Sequence, residues 1–214
     1  MSNVDLDGHM RYLLQQIATG PELSKDVSKE EARLGMQMVL QGRAHPIQAA
    51  LYLIALRMKR ETDEELLGIQ KALLDATSTA TANVDELVEI ADPFNGYVRG
   101  LPVSPFLPAV LAACGVPSMS HGVETTGPKY GITHHKVLAA LGIKTDVSLS
   151  ASVDRIENPE VGWAYVDQTI TCPDLNSLGE LRDLMVKRTC LTTIEVFRKA
   201  EAPKLCQLFF NRCI

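Results

Sequence analysis

Positive charge is in short supply in this chain. Its 21 Lys and Arg face 26 Asp and Glu, for a net charge of −5 over 214 residues, so no global basic field exists to draw in nucleic acid or an anionic membrane. Only a local basic patch stays open. Long apolar runs are lacking too. The longest, AALYLIAL and FLPAVLAACGV, fall far short of a bilayer span, and the acidic start MSNVDLDGHM has neither the charge nor the apolar run of a secretory signal. The five cysteines (Cys114, Cys172, Cys190, Cys206 and Cys213) form an odd set with no CxxC pair and no framework spacing, which argues against a disulfide scaffold. These features predict a soluble, intracellular protein of a reducing compartment.

Several chemistries are also missing their signatures. The chain has no Walker loop, no GxGxxG fingerprint and no HExxH pair. A nucleophile elbow, a Ser-His-Asp order and a catalytic-cysteine signature are absent as well. His134 and His135 are adjacent, so on a helix their rings point about 100 degrees apart and do not readily share one metal. They read as a pair at a helix start. His121 differs, because it follows an apolar run and precedes Gly122 at the end of a predicted strand, where ligands of open α/β sheets collect.

What the chain does have is size and order. With 46% hydrophobic residues it can bury at least one sizeable core. Helix signals run almost without break from residue 8 to residue 90. HMRYLLQQIATG closes on Gly20, Ser28 with Glu31 and Thr62 with Glu65 read as capping boxes, and IQAALYLIALRMK is apolar on nearly all sides, as a helix buried within a bundle would be. Beyond residue 84, glycine and proline recur between short apolar runs. Strands are predicted at 87–91, in VPSMSHG and in VGWAYVDQ, with helices in SPFLPAVLAACG and THHKVLAALG, an alternation that implies a parallel α/β sheet. The predicted organisation is a helical domain over 1–83, a partial α/β domain over 84–200 and an atypical tail over 201–214, whose LFF run has no following element to cover it.

The stretch ALRMKRET at 55–62, the pair His121-Gly122 followed by VLAALG, and LRDLMVKRT at 181–189 give this order a family likeness. On these residues the chain resembles the anthranilate phosphoribosyltransferase family, within glycosyltransferase family 3, over roughly residues 8–195. The resemblance implies an α/β fold of the nucleoside phosphorylase/phosphoribosyltransferase type behind a small helical domain. It also implies homodimer assembly through the helices, and transfer of phosphoribose from phosphoribosyl pyrophosphate to an aromatic amine, with Mg2+, in tryptophan biosynthesis. Such a displacement needs donors and cations for the leaving pyrophosphate and a metal to neutralise it.

Carried over residue by residue, the family's glycine loop falls on ADPFNG at 91–96, where Asn95 and Gly96 remain while Asp92, Pro93 and Phe94 restrict the approach of phosphate to backbone. Ser104 matches the magnesium-side serine, between Pro102 and Pro105 in place of the family's Asn and Thr. Ser120 stands where a phosphate-binding lysine belongs, and Val123 and Glu124 replace Asn and Arg after His121-Gly122. Arg182 matches the arginine beside the acceptor, and Arg188 with Thr189 the pair that follows it. The substrate-binding set the resemblance implies is therefore Asn95, Gly96, Ser104, His121, Gly122, Thr125, Lys129 and Arg182, with Ser104 as the metal residue and no catalytic residue assigned. The loop from Ser120 to Leu138 reads as a remodelled phosphate cradle.

Because a cation is lost and an anion gained there, weak or absent activity is expected. The implied ligand is phosphoribosyl pyrophosphate or another small anion. The alternative is a non-catalytic family member that binds single-stranded nucleic acid or a protein partner. For nucleic acid, a basic groove would draw on Arg43, Arg57, Lys59, Arg60 and Lys129, which read first as solvated helix faces. The family's acidic metal-binding pair lies later in longer chains, which suggests a shortened form. The compartment is open between cytoplasm and plastid stroma, and no membrane partner is expected.

Overall fold

The computed structural model describes residues 6–20, 22–92, 96–127, 130–197 and 205–209. In chain order the helices are α1 (Leu6–Ile17), α2 (Lys29–Leu40), α3 (Pro46–Lys59), α4 (Asp63–Asp75), α5 (Leu107–Ala113), α6 (His134–Ala140), α7 (Leu149–Glu157), α8 (Gln168–Thr171), α9 (Pro173–Asn176), α10 (Gly179–Met185) and α11 (Leu191–Ile194). The strands are β1 (Leu87–Ala91), β2 (Ser118–Gly122), β3 (Trp163–Asp167) and β4 (Leu205–Phe209). The chain divides into two compact units, with boundaries after Ala76, Asn176 and Arg198. Residues 77–83 thus belong with the sheet. Residues 177–197, placed with the α/β part by sequence, belong with the first helices.

In the helical unit both predicted capping boxes form. Ser28 accepts the Glu31 N–H while Glu31 accepts the Ser28 N–H at 2.8 Å, and Thr62 with Glu65 repeats the arrangement at the start of α4. Each box satisfies two N–H groups that the first turn of a helix leaves without partners. Tyr52 of α3 is fully buried and donates its hydroxyl to the Ala32 carbonyl of α2 at 2.8 Å. Helices α2 and α4 approach closely at Gly68, where an added Cβ would sit 2.2 Å from the Lys29 carbonyl oxygen.

Two expectations for this unit need correction. Helix α3 is not buried all round, since Ile47, Leu51 and Met58 are 65%, 49% and 75% exposed along one side. Lys59 is also no solvated cation. Its ammonium is buried between Asp26 at 2.6 Å and Glu65 at 2.8 Å. Burial pushes its pKa down, but these two carboxylates outweigh burial and leave it raised. Arg43, Arg57 and Arg60 do lie exposed.

The second unit is built on a wholly parallel sheet of order β3-β2-β1-β4. β1 occupies the predicted residues, and β2 and β3 lie within their predicted stretches. The stretch read as an uncovered tail supplies β4, which pairs with β1 from Leu87↔Leu205 to Ala91↔Phe209. One face of the sheet carries Leu87, Met119, Ala164 and Val166 against Ile156 of α7, an apolar cluster that covers it. On the other face Ser118 donates to the Pro108 carbonyl of α5 at 2.6 Å, tying helix to strand. Because all the strands run the same way, their carboxyl ends lie along one edge.

Candidate functional site

That edge collects Asp92 just past β1, His121 and Gly122 at the end of β2, and Asp167 at the end of β3. Gly122 is needed for this approach, because a Cβ there would lie 2.8 Å from Asp92 Oδ2. The segments that follow β1 and β2 are joined to each other. Tyr97 and Ile132 exchange backbone hydrogen bonds of 2.7 and 2.9 Å. They come this close because Gly96 (φ +71°) and Gly131 are in contact, and a Cβ on Gly96 would stand 2.4 Å from the Gly131 carbonyl carbon.

Beneath that pairing runs a relay of side chains. The Ser104 hydroxyl, at the start of a short 3-10 turn, lies 2.5 Å from the Tyr97 hydroxyl and 2.5 Å from His134 Nε2. The His134 N–H donates to Asp92 Oδ2 at 2.8 Å, so Asp92 holds the first turn of α6 together with the Thr133 cap. Asp92, Ser104 and His134 are all buried. Burial pushes the Asp92 carboxyl up to about 8, against the pull of the His134 N–H. Burial, with the nearby His121, pushes His134 down to about 3. Near neutral pH both groups are uncharged. Among the described residues Asp92 Oδ1 and His134 Nδ1 have no hydrogen-bond partner. Asp92 Oδ1 stands 4.0 Å from His134 Nε2, too far for a hydrogen bond. The geometry is not that of a nucleophilic triad, since the carboxylate faces neither the histidine's Nδ1 nor solvent.

Two further pairs line the edge. His121 Nε2 lies 3.1 Å from Glu89 Oε1, both buried. His135 Nδ1 lies 2.7 Å from Asp167 Oδ2, with Thr145 at 3.2 Å on its other nitrogen and Tyr165 edge-on to the ring. The adjacent histidines therefore serve different partners. No group of three or more His, Cys, Asp and Glu side chains able to hold a metal forms among the described residues.

Residues 11–77 match the glycosyl transferase family helical bundle domain. An anthranilate phosphoribosyltransferase of Rhodopseudomonas palustris (strain BisB18) is 30% identical over 181 residues, covering 84% of this chain and 50% of the relative. An uncharacterized protein of Aquifex aeolicus is 28% identical over 173 residues, 81% of this chain and 50% of its own length. Among solved structures, the anthranilate phosphoribosyltransferase of Thermus thermophilus superposes with a TM-score of 0.74 at 19% identity, covering 95% of this chain and 59% of that one. The enzyme of Saccharomyces cerevisiae, in complex with PRPP and Mg, gives 0.72 at 12% identity, covering 96% and 60%. The chain is an anthranilate phosphoribosyltransferase-like protein of glycosyltransferase family 3. It spans about half the length of the curated relatives it matches.

In this phosphoribosyltransferase-like chain the residues carried over from the family fall in both units. Gly96, Ser104, His121 and Gly122 lie at the sheet edge, as described. Thr125 is exposed in the loop after β2. Asn95 and Lys129 lie outside the described residues. Arg182 belongs to the helical unit, where Glu195 grips both ends of its guanidinium at 2.7 and 2.9 Å, with both side chains buried. Burial pushes its pKa down, but Glu195 more than offsets this. Sequence reasoning missed Asp92 and Tyr97 as members of the edge and His134 as its centre. The signal present in sequence was a carboxylate one residue past a predicted strand.

Magnesium fits these residues poorly. The Ser104 hydroxyl that would hold it is buried between two other side chains at hydrogen-bond distance, and the Asp92 carboxyl, which accepts the His134 N–H, prefers its neutral form. A hard dication asks for ionised oxygen ligands.

Proposed function

We propose that this chain is a phosphoribosyltransferase relative whose phosphate position has been given over to side-chain contacts, so that it transfers phosphoribose to anthranilate or a similar aromatic amine weakly or not at all. One observation carries the reading: the Ser104 hydroxyl is committed to Tyr97 and His134. A pyrophosphate leaving group needs cations and a metal to stabilise its developing charge. The residues nearest the strand ends supply a neutral acid at Asp92, a neutral imidazole at His134 and an uncharged Ser120 in place of a lysine. Glu124, exposed after β2, adds a charge of the wrong sign. The test is loss of anthranilate fluorescence with phosphoribosyl pyrophosphate and magnesium, beside isothermal titration of phosphoribosyl pyrophosphate. No turnover above background is expected, and turnover near the ordinary enzymatic rate of about 10 per second would overturn the reading.

A binding role is the second reading. The exposed side of α3, Ile47 with Leu51 and Met58, favours a protein surface over nucleic acid, a second copy of the chain first among such partners. The net charge of −5 and the engagement of Lys59 by two carboxylates point the same way. Sedimentation across micromolar concentrations should find a dimer that Met58→Lys weakens, and a strict monomer would remove this reading.

A further inference from the structure

We propose that Met58 is a peroxide-reactive methionine, and that its sulfoxide weakens the association of two copies of the chain through the exposed side of α3. The proposal rests on the second reading above and adds a chemical control to that surface.

The chain has seven methionines, and their settings differ sharply. Met10, Met36, Met38 and Met119 are buried, at 1%, 0%, 2% and 7% exposure. Met185 of α10 is half-buried. Met58 is 75% exposed, the only largely exposed methionine among the described residues. A thioether is oxidised where peroxide can reach its sulfur, and buried sulfurs stay out of reach until the chain opens.

The local structure holds this side chain outward. Ile47, Leu51 and Met58 share one side of α3, since the step from 47 to 58 is about three helical turns. The next residue, Lys59, points inward, where Asp26 at 2.6 Å and Glu65 at 2.8 Å pin its ammonium. Arg60 then ends the helix with φ +68°. With Lys59 anchored, the last turn of α3 cannot rotate Met58 into the unit. The sulfur therefore stands at the end of an apolar strip, beyond Ile47 and Leu51, which are 65% and 49% exposed.

In the reaction the sulfur lone pair attacks one oxygen of hydrogen peroxide, the O–O bond breaks and water leaves. The thioether loses two electrons to become a sulfoxide, and the peroxide gains them. The new S=O asks for hydrogen-bond donors that an apolar face of a second copy does not offer, so covering it is unfavourable. Contact between copies covers Met58, so oxidation takes place on the dissociated chain and then holds it apart.

Hydrogen peroxide treatment of the intact chain, read by peptide mass spectrometry beside sedimentation, tests this. Met58 should oxidise at least about tenfold faster than Met10, Met36, Met38 or Met119, and its rate should fall as protein concentration rises through the dimer range. The Met58 sulfoxide should raise the dissociation constant about tenfold, and the two methionine sulfoxide reductases together should restore the starting value. Cys114 is exposed and open to peroxide as well, so the same shift is expected in Cys114→Ser. Association of Met58→Leu should be indifferent to peroxide, whatever its own constant. Buried methionines that oxidise as fast as Met58 would overturn the proposal. So would a Met58 sulfoxide that associates as tightly as the thioether, or a peroxide effect that persists in Met58→Leu. A strict monomer before any oxidation would instead remove the reading beneath the proposal, and the control of association with it, while the order of methionine reactivity is read independently.

Discussion

Replacing Asp92 with asparagine should change how stability depends on pH, and the direction follows from two opposed groups. Burial holds the Asp92 carboxyl at about 8 in the folded chain against a reference of 3.8, so the native state keeps a proton that the unfolded chain gives up. That contribution is complete below pH 3.8 and is lost as pH rises toward about 8, tenfold in the folding constant per unit. His134, held near 3 against a reference of 6.5, acts in reverse. Its neutral form is native, so its contribution is complete above pH 6.5 and is lost as pH falls toward about 3.

Between 3.8 and 6.5 the two slopes cancel. Between 6.5 and about 8 only Asp92 acts, removing about 2 kcal/mol. In Asp92→Asn the side-chain carbonyl still accepts the His134 N–H and carries no charge to desolvate. The plateau should then vanish, with stability climbing about 4 kcal/mol from pH 3.8 to pH 6.5 and staying level beyond. Urea denaturation in small pH steps gives both curves, and the mutant-minus-wild-type difference should grow across the whole interval from 3.8 to about 8. Parallel curves between about pH 5 and about pH 8 would mean that Asp92 is ionised in the folded protein, which would refute its description as a buried neutral acid.

In the helical unit, Glu195→Gln takes the counter-charge from a buried Arg182 and should lower the unfolding free energy by about 3 kcal/mol; an unchanged denaturation midpoint would show that Arg182 reaches water. Gly68→Ala drives a Cβ to 2.2 Å from the Lys29 carbonyl oxygen, which should cost about 2 kcal/mol as α2 and α4 separate. Gly179→Ala, where a Cβ meets nothing within 4 Å, is the matched control and should be neutral or slightly stabilising. Equal effects at the two glycines would contradict the close approach of the helices.

How much of this was legible in the sequence depended on how local each cause was. The capping boxes at Ser28 and Thr62 and the strand at 87–91 are set by residues within a turn or a strand of one another, and they form where the pattern puts them. β4 was not legible. Its partner β1 lies far back along the chain, and a run ending in LFF does not show which edge it will join. The exposed side of α3 was hidden for a related reason, because an apolar composition says that cover is favourable without saying whether this unit supplies it.

At the sheet edge the same limit decides chemistry rather than fold. Family spacing leads to Ser104, His121 and Gly122, and all three do lie at or beside the strand ends. What each does there is set by neighbours brought in from elsewhere. Asp92 looks like a turn residue before Pro93, and becomes a buried neutral acid only because Gly122 of the next strand lets it in and the His134 amide, 42 residues on, holds it. Ser104 keeps the hydroxyl that suits a metal side, but a hydroxyl 2.5 Å from both a tyrosine and a histidine has little left to give an incoming ligand. Arg182 keeps its charge, and Glu195 has already claimed it. Position in a family fold thus locates a residue, whereas its function depends on whether its polar atoms remain available, and at Ser104 and Arg182 they are taken.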